Sequence, residues 1–183
     1  MGVLEFIQVM VAIILGLGIA ELLRGFADFL RPNRRKVSPL LLAISAWLLL
    51  LHVQMWWAGW RLAGVESWHF YDLLLYLALP IVLFLLARLV FPNDADSQDL
   101  AAYYPSVSSR IWYLAGAFFA FALPFNVVLL EVPLWSAGPI SQIALFCYAM
   151  VCANTANPVV HYVGVAGLFS QSLWRGISSV VGA

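Results

Sequence analysis

A bundle of six membrane-spanning helices is the fold class this sequence predicts, and three observations predict it. Apolar runs of about 20 residues recur along the chain, and each is long enough to cross a bilayer as a helix. Only 10% of the 183 residues are charged while 64% are hydrophobic, whereas about a quarter of a soluble domain is charged. The loops between runs are short and leave no room for a soluble domain. The expected fold is therefore all-α: a polytopic integral membrane protein with a single membrane domain over residues 1–183.

The first span is read over residues 3–23. Glu5 precedes its apolar core and the cations follow it, the charge order of an uncleaved span with its N-terminus outside. The helix should continue as far as Arg31, since Pro32 is the first residue that must stop it. Glu21, Arg24, Asp28 and Arg31 alternate in sign at spacings of three and four, so they can pair along one face. Arg88 closes the third span at the same depth and is expected to join this structural ladder. Arg31, Arg34, Arg35 and Lys36 then form a basic junction that orients the chain and attracts lipid headgroups.

The second span, residues 39–60, starts on a proline and ends in Trp56, Trp57 and Trp60, an interfacial aromatic belt. The third, residues 72–91, carries Pro80 near its middle, where a kink is expected. The polar connection 92–109 should hold a short surface helix over 97–104, ended by Pro105. The fourth span, 110–130, contains Pro124 and Asn126. The fifth and sixth, 139–153 and 159–174, are the shortest, and a re-entrant hairpin is the alternative for them. Cys147 and Cys152 read as small buried core residues of the fifth span that cannot pair with each other.

Threading these spans gives a charge map. With the N-terminus outside, Arg24, Arg31, Arg34, Arg35, Lys36, Arg88 and Arg110 fall inside, and only Arg61 and Arg175 outside. This asymmetry obeys the positive-inside rule and places the 31–36 loop in the cytoplasm, in a plasma membrane or a bacterial inner membrane.

Ionisable groups within spans are where function is first sought, because burying them is costly. Glu5, Gln8, His52, Gln54 and Trp56 all fall in the outer half of the first two spans and are the candidate polar pocket, for a cation, a proton or a small polar solute. The bland alternative leaves Glu5 among headgroups and His52 bonded to a neighbouring helix. Glu66, His69 and Asp72 have helical metal-ligand spacing, a weak candidate because further carboxylates would be needed.

Other chemistry is disfavoured. The three histidines lie at different depths, against bis-histidine haem. The single lysine, Lys36, lies in the basic loop rather than in a span, so no Schiff-base cofactor is expected. Asp94, Asp96 and Asp99 lack the glycine and glutamate of a calcium loop. A net charge of zero argues against nucleic acid. Neither a cofactor nor a metal is expected, and no catalytic constellation is present. A small permease, channel or solute-binding protein is the first expectation. The second is a non-catalytic accessory or scaffold subunit, with the lipid bilayer, a second copy or another membrane protein as partner.

Overall fold

The computed structural model describes residues 2–29, 38–65, 67–92 and 99–178. Among them the regular elements are all helical: α1 (Val3–Phe29), α2 (Pro39–Ala58), α3 (Phe70–Val90), α4 (Leu100–Pro124), α5 (Ala137–Ala153) and α6 (Pro158–Ser178). A 3-10 turn, Gly59–Gly64, extends α2, and a π-helical turn, Phe125–Leu129, extends α4. Four helical stretches are long and apolar enough to cross a membrane: Val3–Phe29, Pro39–Gly64, Phe70–Val90 and Leu100–Leu129. At 17 residues, α5 is about 25 Å long, short of a hydrocarbon core of about 30 Å. The long α6 carries His161, Gln171, Ser172 and Arg175 and is less apolar. Arg31, Arg34, Arg35, Lys36 and Glu66 lie outside the described residues.

Local chemistry accounts for the helix ends. Ser38 caps α2 by accepting from the Leu41 N–H, with Pro39 at the first helical position. Asp99 caps α4 by accepting from the Ala101 and Ala102 N–H groups. The expected break at Pro105 does not occur. Because the cap starts the helix at Leu100, Pro105 falls near its beginning, and one helix replaces the separate surface helix and fourth span. Pro80 and Pro124 are likewise carried within helices. Cys152 is buried as expected, but Cys147 is exposed.

Helices α2, α3, α4, α5 and α6 pack in that order as a ring closed by the α2–α6 contact, and α1 lies against α2 and α3. Polar contacts fix the direction of each helix. The start of α1 meets the end of α2 (Gln8 to Gly59), its later part meets the end of α3 (Glu21 to Arg88), and the end of α4 meets the end of α6 (Asn126 to Arg175). The bundle thus has a Val3 end and a Phe29 end. Along α1, Ile7, Val11, Leu15, Gly18, Leu22 and Gly25 form the buried stripe, repeating every three to four residues. Its two buried glycines are required by close approach: a Cβ on Gly18 would overlap the His52 ring, and one on Gly25 the Phe91 ring.

Candidate functional site

A cavity of about 310 Å³ lies inside the ring towards the Val3 end, between α2, α3, α4 and α6. Leu51, Met55, Leu79, Phe118 and Ala122 give it apolar walls. Gln54, Arg61, Asn126 and Arg175 supply its polar wall. Each arrives there for a local reason. Gln54 and Arg61 are seven apart and sit at the end of α2 and in the 3-10 turn that follows. Asn126 is turned inward by the π turn after Pro124, where its Nδ2 donates to the Ala122 carbonyl at 2.7 Å. Such one-turn π segments concentrate at functional sites. Arg175 lies in the last turn of α6 and donates to Asn126 Oδ1 at 3.3 Å.

The electrostatics of this wall are lopsided. Arg61 and Arg175 lie close enough to repel, and Arg175 is partly withdrawn from water. Gln54 and Asn126 spend amide hydrogens on the Ser172 and Ala122 carbonyls. Arg61 makes no hydrogen bond or ion pair among the described residues. The five N–H donors of the Arg61 guanidinium thus have no acceptor among the described residues. Beyond Arg61 opens a polar vestibule of about 510 Å³, lined by Ser67, His69, Asp72 and Glu131. Arg61 and Leu130 line both spaces. Glu131 adopts the left-handed backbone conformation, with φ 49°, where the π turn gives way to the loop.

The five residues proposed from sequence do not line one pocket. Gly18 touches His52, and Gln8 is ten residues earlier on α1, so the two are about 15 Å apart along the helix. Gln8 donates to the Gly59 carbonyl at 2.8 Å, and Glu5 accepts from the Gly2 N–H at 2.9 Å. His52 is fully buried and bonds the Leu48 carbonyl of its own helix through Nδ1 at 2.8 Å, leaving Nε2 without a partner. Trp56 is 53% exposed on the outside of the bundle. Only Gln54 reaches the cavity.

At the Phe29 end, Glu21 meets Arg24 at 2.5 Å and Arg88 at 3.2 Å, joining α1 to α3. Both cations are substantially exposed, so the pairs contribute at most about 1 kcal/mol each. Asp28 lies one turn further along α1, half-buried. Asp72 accepts from the His69 N–H at 2.9 Å, with His69 Nδ1 at 3.3 Å, which makes this pair an N-terminal cap of α3. Among the described residues no three His, Cys, Asp or Glu side chains converge on a metal position.

Sequence reasoning missed two groupings. Asn126 was visible as an amide in an apolar span, but nothing linear tied it to Arg175, 49 residues later. The second is a buried chain at the Phe29 end. Trp112 Nε1–H donates to the Tyr104 oxygen (3.1 Å), and the Tyr104 hydroxyl meets His161 Nδ1 (2.8 Å). His161 Nε2 reaches the Cys152 and Thr155 carbonyls, both at 3.0 Å. Comparison with protein-family profiles, with curated proteins and with solved structures finds no match. The class is therefore set by fold and site alone: among the described residues, an all-helical bundle with four long apolar helices and an amphipathic cavity between α2, α3, α4 and α6.

Proposed function

We propose that the chain is an integral membrane protein of the small permease or solute-binding type, which takes its solute in the cavity bounded by Gln54, Arg61, Asn126 and Arg175. The observation that carries this reading is the cavity itself. Its volume falls within the range of small-molecule sites, about 300–1,000 Å³, and polar side chains from three different helices converge in it. Filling it should remove binding. The Ala58→Phe variant places a ring at the half-buried cavity wall. Its solute binding or flux after reconstitution should fall about ten-fold or more, by the loss of contacts worth roughly 1.4 kcal/mol. Unchanged activity in a folded variant would sink the site.

The membrane reading is supported by the surface. Phe6, Val9, Ile13 and Leu17 on the outward face of α1 are each more than half exposed, and that face is as apolar as the buried one. A helix apolar all round belongs in hydrocarbon or in a core. Trp56, Trp60, Phe70, Trp135 and Trp174 are exposed at the Val3 end, as an interfacial belt would be. In this reading all six helices cross, with α5 the shortest of them and α6 less apolar. The Val3 end faces outside and the 31–36 loop faces the cytoplasm. A cysteine replacing Asn33 in a Cys147→Ser background should resist an impermeant maleimide in intact cells, while one replacing Gly64 should react. The reverse pattern would invert the orientation. A scaffold role is the second reading, favoured by the continuous exposed apolar face of α1, which could hold another membrane protein.

A further inference from the structure

We propose that the cavity ligand is an anionic amphiphile: a carboxylate or phosphate head between Arg61 and Arg175, with a single hydrocarbon chain along Leu51, Leu79 and Phe118. This rests on the cavity being the binding site, and it names the ligand class. Three features converge on that class.

The first is the charge of the wall. Two guanidiniums face one space and repel each other, and Arg61 makes no hydrogen bond or ion pair among the described residues. An oxyanion removes that repulsion and accepts from both, and guanidinium suits carboxylate and phosphate oxygens better than an ammonium does. The second is the division of acids from bases. Among the described residues, Asp72 and Glu131 line the vestibule and not the cavity, and Asp72 is committed to the α3 cap. The third is the remaining wall, which is aliphatic and aromatic. A small inorganic ion would leave it uncovered, whereas a chain would bury it.

The test uses the full chain in an uncharged maltoside detergent, titrated calorimetrically with decyl phosphate, decanol and inorganic phosphate, each against protein-free micelles. Decyl phosphate should bind at least about ten-fold more tightly than either of the others, since a charge-assisted hydrogen bond contributes at least that factor. Arg61→Gln should erase the preference of decyl phosphate over decanol. Arg61 is exposed and makes no hydrogen bond or ion pair among the described residues, so this variant should remain folded. Arg175→Gln should act in the same direction. Equal binding of decanol and decyl phosphate would overturn the anionic head while leaving the cavity in place. Inorganic phosphate binding as tightly as decyl phosphate would overturn the amphiphile in favour of a soluble anion. No binding of any probe, with Ala58→Phe indistinguishable from the parent chain, would remove the cavity reading and this inference with it.

Discussion

Replacing His161 with alanine is expected to lower the unfolding free energy by about 3–5 kcal/mol, the largest loss for any single truncation outside the apolar core. Both partners of Nε2 are carbonyls, which can only accept, so Nε2 must donate. The pattern then closes in one direction: the Trp112 N–H donates to the Tyr104 oxygen, the Tyr104 hydroxyl donates to Nδ1, and Nε2–H is shared between Cys152 and Thr155. His161 and Trp112 are both buried, with 2% and 1% of their surface exposed. The chain of bonds ties α4 to the end of α5, the connecting loop and the first turn of α6. Alanine takes the donor from the Thr155 carbonyl, removes the acceptor of the Tyr104 hydroxyl, and opens a void beside Trp112, while the Cys152 carbonyl keeps its backbone N–H partners. Unfolding in mixed micelles, followed by circular dichroism, measures the loss. His161→Gln retains a donor and should recover part of it. An alanine variant within about 1 kcal/mol of the parent would show that the network contributes little net stability.

Leucine at Gly18 is expected to cost about 3 kcal/mol, at the upper end for overpacking of a filled contact. The first added carbon would sit on the His52 ring, which is fully buried and held to Leu48 through Nδ1, so it cannot swing clear without losing that bond. Nor can α1 rise from α2 freely, because one heptad further on Gly25 packs against Phe91. Pairing Gly18→Leu with His52→Ala should restore more than half of the loss, since the smaller residue makes room for the larger. Contacting residues show coupling of about 0.5–3 kcal/mol in such cycles. A double variant no more stable than Gly18→Leu alone would show that the strain lies elsewhere along α1.

These two positions also show what a linear reading can reach. Gly18 and His52 were each visible in the sequence, but their contact was not. His52 was read with Gln8 and Glu5 because the start of α1 and the end of α2 share one side of the bundle. The actual register places Gln8 against Gly59, beyond the level of His52. Depth estimated from span limits is good to about a turn or two, while a hydrogen bond needs a few tenths of an ångström. The Glu21, Arg24 and Arg88 grouping was legible because all three lie at chain positions where α1 and α3 run past each other at one end. Pro105 misled because a proline does not always stop a helix. The Asp99 cap begins α4 at Leu100, and the helix carries Pro105 in its second turn as α3 carries Pro80 in its interior.

What the sequence determined by itself is the all-helical class and the apolar character of its long helices. These follow from composition and periodicity, which act on each segment independently. The cavity was decided by the tertiary structure. Gln54, Arg61, Asn126 and Arg175 come from three separate stretches and meet only because α2 and α6 close the ring and a π turn rotates Asn126 inward. Ring closure depends on how side chains such as Trp47 and Ser172 fit across helices, with the Trp47 Nε1–H on Ser172 Oγ at 3.0 Å as one fixed point. That fit belongs to pairs of distant residues, and no single segment carries it.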